Sequence, residues 1–161
     1  MILGIGTDIV EIERIKRMYE KRPKKTLNRI YGEREISSIL SKKNPYPHLA
    51  VRFCAKEAFA KALGTGLGRI SLTDFQVVNS DSGKPEACIT GKARQRLEEL
   101  TKKATGSSLA SIEDVKVHIS LSHSRELAVA YVTITKEHFP CFDFQTTTSN
   151  KIKVNFRTNS S

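Results

Sequence analysis

Three charged residues in the first half of the chain have the types and spacing needed to hold a phosphate group beside a divalent cation. Asp8 interrupts an apolar stretch, where an isolated charge would be costly. Glu57 and Lys61 are one helical turn apart in a later, alanine-rich stretch. If the two segments pack together, Asp8 and Glu57 could supply two carboxylates to one Mg²⁺, which also takes water and phosphate oxygens. Lys61 could then reach the same phosphates.

The same charges also have an ordinary interpretation. Arg52 and Lys56 form a second polar pair on the opposite edge of the predicted helix, so all of these charges could be solvated i,i+4 pairs. Gly64, Thr65 and Gly66 follow in a glycine-rich loop, whose backbone N–H groups could approach a phosphate. This loop follows a helix and lacks the spacing of a P-loop, so on its own it does not identify a phosphate site.

The other residues with reactive side chains have less context. A Ser-His-Ser sequence surrounds His123, but adjacent residues of a strand point to opposite faces and no nucleophile elbow is present. Contact of His123 with a phosphate is therefore preferred over a Ser–His nucleophile. His48 and His118 are predicted to lie on the surface. Cys54 lies within a helical apolar pattern and is predicted to be a small core residue.

The elements that must position these residues mix helices with strands that pair as hairpins, which predicts an α+β domain. Buried strand character is predicted for 2–10, including Ile2, Ile5 and Ile9. Further strands are predicted at 71–78, 86–90, 115–121 and 127–135. Helices are predicted after residue 11 up to Pro23, then over about 27–40, 48–63 and 91–103. The predicted domain is 1–137, and 138–161 is predicted to be a poorly ordered or loosely docked extension.

The charge of the chain predicts an anionic partner. The formal net charge is +10, and Lys and Arg outnumber acids by 11 to 3 between positions 14 and 43. A solvated basic face, an acidic protein, a nucleic acid or a phosphorylated ligand would each fit this excess. A nucleic-acid-binding module remains the alternative function. The basic stretch, however, lacks interleaved aromatics and any zinc-finger or RRM signature.

Cysteine usage and hydropathy predict a cytoplasmic location. The three cysteines are far apart and show neither metal-ligand spacing nor a disulfide framework, which is typical of a reducing compartment. We recognise no signal peptide and no apolar run long enough for a membrane span. The chain is therefore expected to have no membrane partner.

Four sequence blocks resemble one enzyme family. They are Gly4-Ile-Gly-Thr-Asp8-Ile-Val-Glu-Ile, Arg52-Phe-x-Ala-Lys56-Glu57-Ala-Phe-x-Lys61-Ala-x-Gly-Thr-Gly66, Gly83-Lys84-Pro85 and Ser120-Leu-Ser122-His123-Ser-Arg-Glu. Together and in this order they resemble the bacterial holo-acyl-carrier-protein synthases of the 4′-phosphopantetheinyl transferase superfamily. The resemblance covers about residues 2 to 135. The stretch 21–34 departs from the family's usual pattern, and 138–161 matches none of it.

This resemblance implies an activity and a set of site residues. The implied reaction transfers the 4′-phosphopantetheine group of coenzyme A to a serine of apo acyl carrier protein in fatty acid biosynthesis, releasing adenosine 3′,5′-bisphosphate. By the same resemblance Asp8, Glu57 and Lys61 are catalytic. Asp8 and Glu57 would hold Mg²⁺, or Mn²⁺ in its place, and Lys61 would neutralise pyrophosphate charge. A metal-side water or Glu57 would accept the serine proton.

The resemblance also implies how the substrates bind. The implied coenzyme A-binding residues are Arg52, Lys61, Gly64, Thr65, Gly66, Asn79, Gly83, Lys84, Pro85 and His123. Arg52 and His123 would approach the 3′-phosphate, and residues 79–85 would border the adenine. Family members form homotrimers with sites between protomers. The acidic carrier protein is predicted to dock on a basic face formed by Arg14, Lys16, Arg17 and Lys21. Alternatives are a non-catalytic protein of the same fold and a transferase acting on peptide or polyketide carriers.

Overall fold

The computed structural model describes residues 1–80, 82–106 and 112–137. The described elements are, in chain order, β1 (Ile2–Glu11), α1 (Ile12–Lys21), α2 (Pro23–Ile30), α3 (Glu33–Leu40), α4 (Tyr46–Ala62), β2 (Phe75–Asn79), β3 (Pro85–Ile89), α5 (Gly91–Thr105), β4 (Val115–His123) and β5 (Leu127–Lys136). Helices combined with antiparallel strands confirm the predicted α+β class. The predicted extension 138–161 lies outside the described residues.

A three-stranded antiparallel sheet in the order β1-β5-β4 carries helix α4 on one face. The contact between β1 and α4 depends on glycine. A Cβ atom on Gly4 would overlap the carbonyl oxygen of Ala62, and one on Gly6 would overlap that of Ala58. Because side chains alternate along a strand, Asp8 lies on the same face of β1 as these glycines. The close approach therefore brings Asp8 to the side of α4.

The other face of this sheet is open within one chain. Ile5 and Ile9 of β1 are 60% and 61% exposed, and Tyr131 of β5 is 55% exposed. The sequence-based prediction that β1 is buried is thus wrong for one of its faces. The strand packs on α4 through glycines and Val10, and nothing among the described residues covers its isoleucines.

The core is built around α4. Leu49, Cys54 and Phe59 are fully buried, and the Phe59 ring stacks on Phe75 of β2 with centroids 4.2 Å apart. Burying each such aromatic side chain stabilises the fold by about 1.5–3 kcal/mol. The strand predicted over 71–78 begins only at Phe75, because a short 3-10 helix at Leu72–Asp74 precedes it.

The helix predicted over 27–40 is divided into α2 and α3. Tyr31, between them, is extended, and its buried hydroxyl donates to the carbonyl oxygen of Leu49 over 2.9 Å. The N–H of Gly32 donates to Glu35 Oε2 over 3.0 Å and caps α3. Because the helix is interrupted here, the side chains of Tyr31 and Glu35 are both buried in the core. Their burial and hydrogen bonds compensate for the lost helical continuity.

No helix among the described residues is long and apolar enough to cross a membrane.

Candidate active site

Asp8 and Lys61 meet where β1 crosses α4. Lys61 Nζ donates to Asp8 Oδ1 over 2.9 Å and to the carbonyl oxygen of Thr7 over 2.9 Å. The lysine side chain is 52% exposed and the aspartate side chain is 17% exposed. The hydrogen bond that Lys61 donates to Asp8 is the largest cause of the raised pKa of Lys61. The pair therefore forms a charged site with access to solvent, as the spacing of these residues led us to expect.

Glu57 belongs to the same site. Partial burial raises the pKa of its carboxyl, and the negative charge of Asp8 raises it further. The positive charges of Lys61 and Arg14 act in the opposite direction. Two carboxylates thus interact at the edge of α4, with one cation from the helix and one from α1.

This donor set suits a hard cation that completes its coordination elsewhere. The described residues contain no group of three or more His, Cys, Asp or Glu side chains arranged to hold a metal. Mg²⁺ is usually bound through one or two carboxylates together with waters and substrate phosphates. Asp8 and Glu57 therefore fit a metal that arrives with a phosphorylated substrate, and they fit poorly with an all-protein metal cage.

Cys54 lies near Asp8 and Glu57, whose charges act on its thiol. Its thiol donates to the carbonyl oxygen of Ala128 over 3.3 Å and is fully buried. Burial, the charge of Asp8 and the charge of Glu57 raise the pKa of the Cys54 thiol to about 12. The thiol therefore stays protonated and is no nucleophile, and the prediction of a core role is confirmed.

The glycine-rich loop begins at Gly64, two residues after the end of α4. Gly64 and Gly66 have φ angles of 68° and 64°, in the left-handed region that favours glycine. A Cβ atom at either position would meet no atom within 4 Å, so the loop is open to solvent. The N–H of Gly64 is bonded to the Lys61 carbonyl over 2.9 Å, which keeps the loop next to the turn that carries Lys61.

Arg52 and His123 form a different cluster. The Arg52 side chain donates to Val77 O, His48 O and Ser38 Oγ, each over 3.4 Å, and the residue is only 4% exposed. His48, predicted on the surface, is half-buried and packs edge-on against His123 with ring centroids 6.1 Å apart.

Within one chain these two clusters remain apart. Helical geometry places His48 about half a turn around α4 from Glu57 and roughly 13 Å along its axis. The groups that act electrostatically on Glu57 are Asp8, Lys61 and Arg14, and those that act on His48 include none of them. Asp8, Glu57 and Lys61 therefore lie together in one chain, whereas Arg52 and His123 lie in a separate cluster.

Comparison with known proteins identifies the family. A family model described as the 4′-phosphopantetheinyl transferase superfamily matches residues 4–131. The chain belongs to this superfamily. The resemblance seen in the sequence blocks is confirmed.

Individual superfamily members agree over most of the chain. A holo-[acyl-carrier-protein] synthase of Thermodesulfovibrio yellowstonii is 42% identical over 135 residues, covering 84% of this chain and all of the relative. The crystal structure of the Neisseria meningitidis holo-[acyl-carrier-protein] synthase has a TM-score of 0.67 and 35% identity, covering 84% of this chain and 100% of that one. The Bacillus anthracis enzyme, solved in complex with CoA (3′,5′-ADP), has a TM-score of 0.65 and 34% identity, covering 85% and 99%.

The remaining expected coenzyme A residues lie in the β2–β3 hairpin of this transferase fold. Asn79 and Pro85 are paired across the hairpin, and Gly83 has a φ of 81° in its turn. The Lys84 carbonyl accepts from the N–H of Ser80 over 2.9 Å. These residues form one tight turn, and its place relative to a bound nucleotide remains a prediction.

The basic face predicted for carrier docking lies on α1. Arg14, Lys16, Arg17 and Lys21 all belong to this helix, whose buried side carries Ile12 and Ile15. Glu13 lies 3.6 Å from Lys16 and 3.8 Å from Arg17. Because Arg14 acts on the Glu57 carboxyl, the basic face adjoins the carboxylate site.

Sequence reasoning missed a buried ion pair between α4 and α3. Lys56 Nζ donates to Glu35 Oε2 over 2.7 Å and to the carbonyl oxygens of Leu72 and Phe75, and both charged side chains are 0% exposed. The interpretation of Arg52 and Lys56 as a solvated surface pair is therefore wrong. The signal that could have revealed this is an acid in an apolar helix, Glu35 beside Ile36 and Ile39, matching a lysine in an alanine-rich one.

Proposed function

We propose that this chain transfers the 4′-phosphopantetheine group of coenzyme A to a serine of apo acyl carrier protein, in fatty acid biosynthesis. The observation that carries the proposal is the meeting of Asp8, Glu57 and Lys61 at one solvent-accessible site in a superfamily member. The named relatives are holo-[acyl-carrier-protein] synthases at about 40% identity over more than four fifths of the chain. The nucleic-acid-binding alternative finds no support among them.

Asp8 and Glu57 would hold Mg²⁺, or Mn²⁺ in its place. When bound there, the ion supplies Lewis-acid stabilisation of negative charge on the pyrophosphate oxygens of coenzyme A. Lys61 places its ammonium beside the same carboxylates, with half of its side chain exposed. It is therefore available to neutralise charge on the pyrophosphate. The open backbone of Gly64, Thr65 and Gly66 borders Lys61 and would line the pyrophosphate site.

In the reaction the serine oxygen of the carrier forms a bond to the β-phosphorus of coenzyme A. The bond from that phosphorus to the bridging oxygen breaks, and adenosine 3′,5′-bisphosphate leaves. Such a transfer depends chiefly on positioning and on charge stabilisation. The serine proton passes to Glu57 or to a water at the carboxylate site. The raised pKa of Glu57 makes its carboxylate a stronger proton acceptor than an ordinary glutamate.

We infer from the family resemblance that the chain forms a homotrimer with sites between protomers, and the open sheet face is a surface on which copies could meet. The open sheet face presents Ile5, Ile9 and Tyr131, each more than half exposed, and apolar faces of this kind mark interaction surfaces. Arg52 and His123 would then serve coenzyme A bound at a neighbouring protomer's carboxylates. The hairpin Asn79, Gly83, Lys84 and Pro85 would border the adenine.

The carrier would dock on the basic face of α1, beside the carboxylate site. Arg14, Lys16, Arg17 and Lys21 would attract the acidic carrier and orient its serine. We place the reaction in the cytoplasm, since Cys54 and Cys88 are both free thiols, as expected in a reducing compartment.

Mass spectrometry of apo acyl carrier protein incubated with this protein, coenzyme A and Mg²⁺ tests the proposal. We expect the carrier to gain the mass of one phosphopantetheine. The gain should disappear with EDTA and with Asp8→Ala, and coenzyme A alone should give none. An unmodified carrier in the complete reaction would overturn the proposal.

A further inference from the structure

An apolar groove with a volume of about 370 Å³ lies between strand β3, helix α5 and the start of β4. Two charged side chains in its lining, Arg94 and Glu113, are exposed. Leu97 is buried, whereas the other aliphatic side chains of the lining are only half-buried and keep part of their surface open to solvent. The aliphatic lining residues are Ala87, Ile89, Leu97, Ile112, Val115 and Val117.

This groove is separate from the surfaces already assigned. Val117 is paired with Ile134, whose side chain is fully buried on the α4 side of the sheet. Because side chains alternate along a strand, Val115 and Val117 lie on the face opposite the exposed Tyr131. The strand that carries Asp8 is at the other edge of the sheet from β4. The groove therefore belongs neither to the open sheet face nor to the carboxylate site.

The chain leaves its last strand beside this groove. The N–H of Glu137 donates to the carbonyl oxygen of Asp114 over 2.9 Å, and Glu137 Oε1 lies 2.6 Å from Lys116 Nζ. These two partners flank Val115, which lines the groove. Five further residues of extended chain could span about 17 Å. The residues that follow Glu137 therefore start next to the groove and can reach along it.

The segment that follows has side chains that suit an apolar groove. Three of the seven phenylalanines of the chain lie within six positions, at Phe139, Phe142 and Phe144. Phe142 and Phe144 alternate with the polar Asp143 and Gln145, and an extended segment with this period of two places both rings on one face. A cavity of about 150 Å³ holds one benzene ring, so the groove has room for both rings.

A second apolar stretch lies further along the extension. Ile152, Val154 and Phe156 also alternate with polar residues, but the polar stretch 145–150 separates them from the phenylalanines. A longer loop costs more entropy to close, which favours the nearer stretch as the occupant of the groove. The family model ends at residue 131, so both stretches lie beyond the matched region.

We propose that Phe142 and Phe144 dock in this groove of their own chain, in an extended segment that packs against β3, α5 and β4. Asp143 and Gln145 then face solvent. Strands β3 and β4 belong to separate sheets, and the docked segment connects the two. It thereby holds the β2–β3 hairpin against the larger sheet. The extension is an intramolecular clamp, which goes beyond the proposed transfer reaction.

NMR spectra of the full chain with labelled Ile, Leu and Val methyl groups test this contact, because an aromatic ring shifts the resonances of methyl groups that it packs against. Phe142→Leu combined with Phe144→Leu removes both rings and keeps apolar side chains. We expect the methyl resonances of Ile89 and Val117 to move in this double variant. Those of Ile9, on the open sheet face, should keep their positions.

Phe156→Leu is the matched control, since it makes the same substitution in the second apolar stretch. It should leave the methyl resonances of Ile89 and Val117 unchanged. If Phe156→Leu moved them, or if the Phe142→Leu and Phe144→Leu pair left them in place, the inference would be overturned. Movement of Ile9 alone in the double variant would place the segment on the open sheet face and would also overturn it.

A mixed sample distinguishes docking within one chain from docking between copies. Methyl-labelled wild-type chains are refolded together with unlabelled chains that carry Phe142→Leu and Phe144→Leu. The resonances of Ile89 and Val117 should keep their wild-type positions. Movement that grows with the fraction of variant chains would show that the segment comes from a second copy, against the proposal.

Thermal unfolding of the full chain provides a second readout. Phe142→Ser combined with Phe144→Ser should lower Tm by about 3–6 °C. Ile152→Ser combined with Phe156→Ser removes two apolar side chains from the second stretch and should lower Tm by less than about 1 °C. Equal losses in the two double variants would contradict docking by the nearer stretch. Neither measurement needs turnover, so a failure of phosphopantetheine transfer would leave both tests intact.

Discussion

Helix α4 contributes one lysine to each of two ion pairs. The N–O distances of the two pairs are similar, but their exposure to solvent differs. Lys56 and Glu35 are 2.7 Å apart and 0% exposed, whereas Lys61 and Asp8 are 2.9 Å apart and 52% and 17% exposed. All three donors of the Lys56 ammonium are taken by protein acceptors. The Glu35 carboxylate in turn accepts from the N–H groups of Gly32 and Val77.

The difference in exposure indicates that the Lys56–Glu35 pair stabilises the fold and that the Lys61–Asp8 pair can contact a ligand. The buried pair has no capacity left for a substrate, since Lys56 and Glu35 bond to each other and to backbone groups at Gly32, at Leu72 and in β2. The Lys61–Asp8 pair leaves half of the lysine side chain accessible to solvent, and the Glu57 carboxyl interacts with both of its members. Lys56 therefore fixes the position of α4, whereas Lys61, five positions later in the same helix, is accessible to a ligand.

The largest effect is expected from breaking the buried pair. Lys56→Met leaves the Glu35 carboxylate buried without its counter-charge, so the free energy of unfolding should fall by about 3–5 kcal/mol. Urea denaturation measures this loss. Combining Lys56→Met with Glu35→Gln should recover much of it, and Lys103→Met, an exposed control on α5, should change it by less than about 0.5 kcal/mol. A loss below about 1 kcal/mol in Lys56→Met would contradict a structural role for the pair.

Breaking the Lys61–Asp8 pair should lower the transfer rate strongly and the free energy of unfolding only slightly. Lys61→Met removes a cation from the carboxylate site, and the rate of phosphopantetheine transfer should fall about 10-fold to 100-fold. Its effect on the free energy of unfolding should stay at or below about 1 kcal/mol, because solvent screens an exposed pair. Transfer rates and urea midpoints of the same preparation test both parts. If Lys61→Met unfolded the protein as readily as Lys56→Met, the distinction between the two pairs would be lost.

A smaller effect is expected from charges that act only on the carrier. Replacing Arg14 and Arg17 by Glu should raise KM for acyl carrier protein about tenfold while leaving KM for coenzyme A nearly unchanged, and added salt should reduce the difference. Replacing Lys102 and Lys103 by Glu makes the same change of charge at the far end of α5 and serves as the control. Equal changes in both KM values would count against docking on α1.

The sequence predicted the residues of the solvent-accessible site but not those of the buried ion pair. Asp8, Glu57 and Lys61 were recognisable because an acid in an apolar strand and two charges one helical turn apart are local signals. Gly4 and Gly6 allow the close approach that brings the strand to the helix, and glycine within a strand is a local signal for such an approach. The elements themselves followed from their periodicity, apart from the break at Tyr31 and Gly32 and the later start of β2 at Phe75.

The buried features could not be predicted in this way. Lys56 finds its acceptors at Glu35 and in the stretch from Leu72 to Phe75, all at least 16 positions away, and its spacing to Arg52 suggested a surface pair. The exposed face of β1 has the same residue types as a buried strand, since composition does not show which side a neighbour covers. The contact of His48 with His123 likewise depends on how α4 lies across the end of β4.

Binding of Mn²⁺ in the presence of coenzyme A, followed by electron paramagnetic resonance, tests most directly whether Asp8 and Glu57 share one ion. We predict that Asp8→Asn and Glu57→Gln each weaken Mn²⁺ binding by at least about tenfold. Glu98→Gln, which removes an exposed carboxylate paired with Arg94 on α5, should leave it unchanged. Mn²⁺ affinity equal to that of the wild type in both Asp8→Asn and Glu57→Gln would contradict the account.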